Sequence, residues 1–306
     1  MADGDDLLLR LLARLKELGY RFVTPTPETH RRVVARRSEA QGLRDVLGWS
    51  LPFARGAIDD ELYALLEAAG MLASDGALYR SRVRASSLAG TLFLHSAYPT
   101  DQVDSVFLGP DSYRFVRFLA AEFAQRPAPR AIIDIGTGAG VGAIACGLMC
   151  RSAQLTLGDI NPLALRFAQI NARHAGLEVE TVESAGLDAI EEPFDLAIMN
   201  PPYMIDATRR AYRDGGEMLG ARLSLDWALA AAARVERGGR VLLYTGSAIV
   251  AGEDRLRAAL QEQLTRGCTL RYEEIDPDVF GEQLDEPGYE EVERIAAIGA
   301  VIERNT

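Results

Sequence analysis

The sequence predicts an α/β fold: a doubly wound, seven-stranded, mainly parallel sheet, preceded by a smaller and mainly helical N-terminal domain. Three observations support this prediction. Strand-like apolar runs alternate with helical segments from residue 131 onward, which is typical of a parallel sheet with helices on both faces. A glycine-rich turn follows the first of these runs. The 306 residues suit a catalytic domain of about 200 residues with a smaller partner.

The composition is that of a globular protein with an acidic surface. Hydrophobic residues make up 48% of the chain and charged residues 25%, which excludes a largely disordered chain. The net charge of -11 is uneven, because residues 1–100 carry 13 Lys and Arg against 12 Asp and Glu, and the remainder carries 20 against 32. Such a surface repels long tracts of phosphate, so binding to duplex nucleic acid would require a local basic patch.

Location and metal content are predicted from what the sequence lacks. The acidic start, Met1 to Asp6, has no basic segment of a secretory signal, and no apolar run approaches membrane-spanning length. We therefore expect a cytoplasmic protein without membrane association. Cys146, Cys150 and Cys268 lack the spacing of a metal site, so we predict no bound metal and assign them no chemistry.

The first predicted domain covers residues 1–100. Leucines at helical spacing from Leu7 to Leu18 predict an amphipathic opening helix. After a proline-rich break, a short helix carries Arg31, Arg32, Arg36 and Arg37. A helix over 58–70 is followed by strand-like runs at 77–84 and 88–95, which we expect to pair as one hairpin. Helix and hairpin together suggest a winged-helix-like module for docking a substrate or partner, an arrangement that also serves DNA binding.

The second predicted domain covers residues 101–306. A helix from Asp111 to about Ala124 leads into the alternating pattern, with strands expected at 131–135, 155–158, 179–182, 194–199 and 240–245. A last helix over 253–264 precedes strands at 268–275 and 292–302, which lie in sequence without a helix between them. These two should form a terminal hairpin that inserts an antiparallel strand into the sheet.

A nucleotide-cofactor loop is predicted where the first strand of this sheet ends. Glycines at 136, 138 and 140 allow a tight turn and a close approach of the cofactor. Asp159 ends the next strand, 21 residues after Gly138, where a carboxylate can accept hydrogen bonds from both ribose hydroxyls. Gly138, Gly140 and Ala143 also permit the spacing of a dinucleotide dehydrogenase, although its first glycine would then lie three residues beyond the strand.

The segment Asn200-Pro201-Pro202-Tyr203 follows a strand at the edge where parallel sheets bind ligands. Its two prolines fix backbone angles and remove two amide donors, so the carbonyls of Asn200 and Pro201 can point into a pocket. Such acceptors would hold an amide or an exocyclic amine in plane, with Tyr203 stacked on the flat group. The alternative is an ordinary proline turn.

With these motifs the chain resembles the class I S-adenosylmethionine-dependent methyltransferases, and most closely the protein-glutamine methyltransferases that modify release factors and a ribosomal protein. The resemblance covers about residues 104–250. It also includes three further segments: Phe107-Leu108-Gly109-Pro110-Asp111-Ser112, similar to a segment that covers the cofactor in the family, Asp214-Gly215-Gly216, followed by a helix expected over 218–237, and Gly238-Gly239.

The resemblance implies a Rossmann-like fold, S-adenosyl-L-methionine as cofactor and an N-methyltransferase activity. The implied cofactor-binding residues are Asp134, Gly136, Thr137, Gly138, Gly140, Asp159, Ile160 and Asn200. The implied catalytic residues are Asn200, Pro201, Pro202 and Tyr203. In the family an acidic residue often binds the adenine amino group, but here Ser184-Ala185 occupies its place, between Glu183 and Asp188.

The acceptor is left open, because the first hundred residues do not resemble the five-helix domain of the release-factor enzymes. A protein glutamine side chain is favoured. Alternatives are the exocyclic amine of adenine or guanine in DNA or RNA, reached through Arg31, Arg32, Arg36, Arg37 and Arg44, a small molecule, and a partner-binding scaffold without catalysis. The intact Asn200 to Tyr203 segment argues against the scaffold. The loop 276–291 is left out of the predicted site: an ordinary surface connection is favoured, and the alternative is that it borders the substrate entrance.

Overall fold

The computed structural model describes residues 4–206, 210 and 212–305. The α-helices in these ranges are α1 (Gly4–Glu17), α2 (Pro27–Val34), α3 (Leu43–Leu47), α4 (Asp60–Ala68), α5 (Pro110–Phe123), α6 (Val141–Met149), α7 (Pro162–His174), α8 (Arg222–Arg234) and α9 (Arg255–Gln263). The strands are β1 (Leu72–Asp75), β2 (Leu78–Ser81), β3 (Val83–Leu88), β4 (Thr91–Ser96), β5 (Ala131–Ile135), β6 (Gln154–Asp159), β7 (Glu180–Glu183), β8 (Leu196–Met199), β9 (Arg240–Val250), β10 (Glu253–Asp254), β11 (Cys268–Asp276) and β12 (Arg294–Arg304).

The central sheet has the order β7-β6-β5-β8-β9-β12-β11, with the two-residue β10 paired to β9. The strands from β7 to β9 in this order run parallel to one another. Strand β12 lies antiparallel between β9 and β11. This confirms the predicted doubly wound sheet and its terminal hairpin. The strand order reverses at β5, so the site should lie where β5, β6 and β8 end.

Alternating residues of the central strands supply the hydrophobic cores on the two faces of the sheet. Ile132 of β5 and Leu242 of β9 join one buried cluster, whereas their neighbours Ile133 and Leu243 join the other. Successive side chains of a strand point to opposite faces, so one apolar run serves both cores. All residues of β8 and β9 are buried, which explains the continuous apolar sequence of β8 and of residues 241–244 in β9.

The N-terminal hundred residues fold differently in one respect from the prediction. Instead of one hairpin there are two, because β1 pairs with β2 and β3 pairs with β4. The turns lie at Gly76 (φ 64°) and at Ala89-Gly90 (φ 50° and 78°), so the turn expected near residues 85–87 was wrong. That stretch is the middle of β3. Helices α1 to α4 confirm a mainly helical region, and none of the helices in the described ranges could span a bilayer.

Asn171 of α7 joins the N-terminal hairpin to the sheet domain. Its side-chain oxygen accepts a hydrogen bond from the N–H of Leu94 (2.8 Å), and its amide donates to the carbonyls of Leu94 (3.0 Å) and Ala139 (2.9 Å). Asp5 and Asp6 of α1 form ion pairs with Arg166 and Arg173 of α7. One hydrophobic cluster extends from α1 to β12, so the core is continuous across residue 100. The domain boundary there stays a prediction.

Helix α8 begins at Arg222, four residues after the position expected from the sequence. Met218 and Leu219 have left-handed φ angles of 58° and 57°, which ordinary helical residues avoid. The turn presses Gly220 against the backbone of Tyr203, since a Cβ there would lie 2.4 Å from the Tyr203 carbonyl oxygen. Residues 218–220 therefore form a turn against Tyr203, and α8 begins only after this turn.

Candidate active site

A cavity of about 300 Å³ opens where β5, β6 and β8 end. Most of the predicted site residues line it: Asp134, Gly136, Thr137, Gly138, Asp159, Ile160, Asn200, Pro201, Pro202 and Tyr203. The fold therefore brings the glycine loop (residues 136–140), the end of β6 and the Asn-Pro-Pro-Tyr loop (residues 200–203) to one place. Gly140 lies behind the cavity, where a Cβ would meet Ala168 of α7 at 3.1 Å.

The glycine loop turns back over the end of β6. Gly136 and Gly138 have φ angles of 70° and 54°, in the region that glycine adopts without strain. The N–H groups of Gly136 and Thr137 both donate to the carbonyl of Gly158, at 2.9 and 3.0 Å. A Cβ on Gly136 would stand 2.8 Å from the ring of Trp227, whereas one on Gly138 would meet open space. No side chain therefore stands between the backbone of Gly138 and the cavity, and a ligand can approach this backbone closely.

Asp134 supports the glycine loop from beneath. Its carboxylate is 2% exposed and accepts hydrogen bonds from the hydroxyl of Thr137 and the N–H of Ala143, both at 2.9 Å. Burial raises the pKa of Asp134 to about 6, against the effect of these two hydrogen bonds. Because its carboxylate is hydrogen-bonded both to the glycine loop and to α6, Asp134 fixes the shape of the loop.

Asp159 ends β6 at the rim of the cavity. Its Oδ2 accepts the N–H of Gly138 and its Oδ1 accepts the N–H of Asn161, both at 2.9 Å. Burial raises the pKa of Asp159, and the backbone hydrogen bonds oppose that shift. Each carboxylate oxygen can accept a further hydrogen bond. The next residue, Ile160, is an exposed apolar side chain on the cavity wall.

The Asn-Pro-Pro-Tyr loop is held by contacts on several sides. Tyr203 is 9% exposed, and its hydroxyl donates to Oδ2 of Asp111. Beneath its ring lies Gly246 of β9, where a Cβ would be 2.3 Å from two ring carbons. Gly215 packs behind the loop, with a Cβ position 2.7 Å from the carbonyl oxygen of Pro202. Larger residues at 215 and 246 would displace the loop.

Comparisons with known proteins agree with this geometry. Residues 114–219 match the family model described as methyltransferase small domain. The release factor glutamine methyltransferase of Bordetella pertussis is 30% identical over 186 residues, which cover 59% of this chain and 68% of that protein. The chain belongs to the release factor glutamine methyltransferase family. It is therefore an S-adenosylmethionine-dependent methyltransferase.

A second curated relative and two solved structures are also similar to the methyltransferase. The release factor glutamine methyltransferase of Deinococcus radiodurans is 37% identical over 91 residues, covering 30% of this chain and 33% of that protein. Among solved structures, a 16S rRNA methyltransferase of T. thermophilus in complex with AdoMet and guanosine has a TM-score of 0.48 at 14% identity, covering 84% of this chain and 64% of that one. The ribosomal protein L11 methylase of Lactobacillus delbrueckii has a TM-score of 0.43 at 17% identity, covering 66% and 84%.

The residues of the cavity fit an adenosine group. Gly138 leaves open space beside the backbone, Asp159 offers carboxylate oxygens at the rim, and Ile160 presents an apolar surface to a flat ring. Ser184 also lines the cavity, but its hydroxyl already donates to the carbonyl of Gly186 (3.2 Å) and accepts the N–H of Ala189 (3.0 Å). Glu183 is exposed. At this edge the cavity wall is therefore formed by Ser184 and not by the acidic side chain of Glu183.

Several lining residues were not among the predicted site residues. They are Phe107, Asp111, Tyr212, Arg213, Trp227 and Phe280. Phe280 and Glu282 belong to the loop 276–291, so leaving this loop out of the site as an ordinary surface connection was wrong, and the alternative position beside the cavity holds. Phe280 adopts a left-handed φ of 56°, and its ring lies 6.3 Å from that of Tyr203. The available signal was the presence of two aromatic residues, Phe280 and Tyr289, in a loop rich in acidic residues.

Proposed function

We propose that the protein methylates the side-chain amide nitrogen of a glutamine in a protein substrate. The observation that carries this proposal is the shared cavity, in which the Asn-Pro-Pro-Tyr loop faces the same space as Gly138 and Asp159. A loop with two prolines offers carbonyl and amide acceptors without competing N–H donors. A primary amide presents two N–H groups and a flat surface, which match these acceptors and the ring of Tyr203.

When bound, S-adenosylmethionine would supply the methyl group: its S–CH3 bond breaks as the N–CH3 bond forms, and the acceptor nitrogen releases one of its two protons to solvent. Gly136, Gly138 and Asp159 are proposed to hold its adenosine part, with Ile160 against the ring and Asp134 and Thr137 shaping the loop. Asn200 and Pro201 accept hydrogen bonds from the substrate N–H groups and so align a nitrogen whose lone pair is delocalised. Orientation dominates this mechanism, since well-oriented reactants reach effective molarities of about 10^5 M or more.

Transfer of a labelled methyl group to a bacterial release factor tests the proposal. We expect Asn200→Ala to lower turnover by at least about 100-fold while the affinity for S-adenosylmethionine, measured by calorimetry, changes by less than about five-fold. Gln125→Ala, which removes an exposed amide just after the end of α5, is the control and should behave as wild type. Near-normal turnover of Asn200→Ala would contradict the catalytic assignment. A release factor whose acceptor glutamine is changed to glutamate should accept no label.

A second candidate is the exocyclic amine of a nucleic-acid base. Pro27, the first residue of α2, lines the cavity, so the exposed arginines of that helix lie near its mouth. Their charge is partly neutralised, because Glu28 pairs with Arg31 and Arg32 at 2.8 and 2.7 Å. This pairing makes us favour a protein substrate. Binding of labelled RNA that weakens steeply with salt, together with label transfer to that RNA, would favour the base instead.

We further infer that residues 1–100 form the region that docks the substrate or partner, beside a methyltransferase domain over 101–306. The continuity of the hydrophobic core between α1, α7 and β4 supports a docking surface that is rigid relative to the cavity. Cytoplasmic location stays a prediction from the sequence. In the described ranges, no group of three or more His, Cys, Asp or Glu side chains is arranged to hold a metal ion.

A further inference from the structure

Asp111 is a buried carboxylate that receives two tyrosine hydroxyls. It lies in the first turn of α5 and is 7% exposed. Its Oδ2 accepts the hydroxyl of Tyr203, and its Oδ1 accepts the hydroxyl of Tyr244 at 3.0 Å. Tyr244 belongs to β9 and is fully buried. The carboxylate therefore joins the start of α5, the Asn-Pro-Pro-Tyr loop and a central strand.

The surroundings of Asp111 supply little other compensation for its charge. Arg114, one turn further along α5, approaches Oδ1 at only 3.4 Å and makes a closer ion pair with Asp276 at 3.0 Å. Two neutral hydroxyls are thus the closest partners of a carboxylate that burial alone would disfavour. Burying a carboxylate costs stability, and two neutral hydroxyls with a distant arginine offset that cost only in part.

Tyr203 depends on this acid for the position of its outer end. Gly246 supports the ring from β9, and Gly220 meets its backbone carbonyl, so the inner part of the residue is fixed by packing. The hydroxyl is fixed by Asp111. Since Tyr203 follows Asn200, Pro201 and Pro202 directly, a change in the tilt of its ring would also move the acceptor groups of the loop.

We propose that Asp111 is a positioning residue for methyl transfer, which holds the Tyr203 hydroxyl and thereby the ring and the adjoining acceptors in the productive orientation. This inference rests on the proposed function of residues 200–203. An ionised carboxylate can accept from both tyrosines at once, one on each oxygen. A side-chain amide in the same place has one oxygen and one donating nitrogen, so it can satisfy only one of the two hydroxyls as an acceptor.

A double-mutant cycle tests the proposal with Asp111→Asn, Tyr203→Phe and the combined variant. We expect Asp111→Asn to lower kcat for release-factor methylation by about 10-fold or more, while calorimetric affinity for S-adenosylmethionine stays within about three-fold. In the Tyr203→Phe background the same substitution should lower kcat by less than about two-fold, because the hydroxyl through which Asp111 acts is absent. If the two substitutions instead lower kcat by independent factors, so that the loss in the double variant is the product of the two single losses, the proposal is overturned.

Tyr244→Phe is the matched control, since it removes the other hydroxyl bonded to the same carboxylate. We expect Asp111→Asn to keep its full effect on kcat in the Tyr244→Phe background. If its effect disappears there and persists with Tyr203→Phe, Asp111 serves the packing of β9 and the proposal is overturned. Thermal melting of each variant identifies any loss of folding, and Asp111→Glu offers a second carboxylate that should recover part of the lost kcat.

A readout without any acceptor separates this inference from the proposed function. In protein labelled with 3-fluorotyrosine, the ¹⁹F resonance missing from Tyr203→Phe is that of Tyr203. We expect this resonance to shift in Asp111→Asn and to stay in place in Gln125→Ala. If it shifts while wild-type protein methylates no release factor, the glutamine assignment fails and the contact between Asp111 and Tyr203 stands. An unmoved resonance overturns the positioning role whatever the acceptor.

Discussion

Gly138 donates its backbone N–H to Oδ2 of Asp159 at 2.9 Å, across 21 residues of sequence. The glycine loop and the carboxylate at the end of β6 are therefore one structural unit. We predict that Asp159→Ala lowers the affinity for S-adenosylmethionine by at least about 10-fold, because a charged hydrogen-bond acceptor is lost together with the brace of the loop. Calorimetric titration measures the change, and NADH should not bind to either protein.

Glu183 provides the matched control for Asp159. It ends β7 directly opposite Asp159 in the β6–β7 register, but its side chain is exposed. Glu183→Ala should leave cofactor affinity within about two-fold of wild type. An equal loss in both variants would mean that the effect arises from the acidity of this edge and not from the geometry of Asp159. Binding of NADH in place of S-adenosylmethionine would contradict the cofactor assignment of the site.

Gly246→Ala should damage the Asn-Pro-Pro-Tyr loop from beneath. Its added Cβ would lie 2.3 Å from two ring carbons of Tyr203, and the ring is confined by its bond to Asp111. Overpacking of this kind typically costs about 1–3 kcal/mol. We expect a lower melting temperature and a loss of turnover that exceeds the loss of cofactor affinity. Gly281→Ala, exposed and with no atom within 4 Å of its Cβ position, should have neither effect.

Trp227 should report cofactor binding through its fluorescence. It lines the cavity and lies against Gly136, with its ring 2.8 Å from the Cβ position there. The chain has two tryptophans, and the other, Trp49, packs on Phe22 in the N-terminal region. In the Trp49→Phe variant, added S-adenosylmethionine should change the emission with a saturable dependence. The Trp227→Phe variant should show no such change, and a persisting signal would place the cofactor elsewhere.

The sheet and the cofactor loop could be predicted because their signals are local. Mainly apolar runs mark β5, β8 and the first half of β9, and a glycine-rich turn after β5 marks the loop. The hydrogen bond between Tyr203 and Asp111 could not be predicted, because the two residues are 92 positions apart in the sequence. The residues that follow Asp111 have an ordinary helical pattern, which gives no signal of a buried carboxylate. Contacts of this kind depend on how elements pack, which no single segment records.

The errors in the N-terminal hairpins and at the start of α8 have a similar cause. Non-glycine residues adopt left-handed angles at Ala89, Met218 and Leu219, and sequence patterns assign such residues to strands or helices. At residues 218–220 the reason lies in tertiary structure, since the turn must clear the backbone of Tyr203. The position of the loop 276–291 also depends on tertiary structure. The N–H of Val279 donates to the carbonyl of Ile295 in β12, and this contact holds the loop beside the cavity.

His30 should make the stability of the protein fall at acid pH. Its ring is 1% exposed and packs against the tilted ring of Tyr98, with 4.0 Å between the ring centroids. Burial, reinforced by the charge of Arg84, lowers the pKa of His30 to about 4. The unfolded chain binds the proton near pH 6.5 and the folded chain only near pH 4, so protonation favours the unfolded state between these values. The contribution to stability is thus complete above pH 6.5 and is lost as pH falls.

The variant His30→Phe keeps an aromatic ring for Tyr98 and removes the titrating group. The difference in free energy of unfolding between wild type and this variant should move by about 2 kcal/mol in favour of the variant from pH 7 to pH 5. The pKa values of His95 and His174 are also lowered, but both residues are present in the two proteins, so their effects cancel in the difference. Urea denaturation at several pH values measures it. If the free energies of unfolding of the two proteins change with pH in parallel, His30 has the same pKa in the folded and unfolded chains. The burial of its ring would then not oppose its charge.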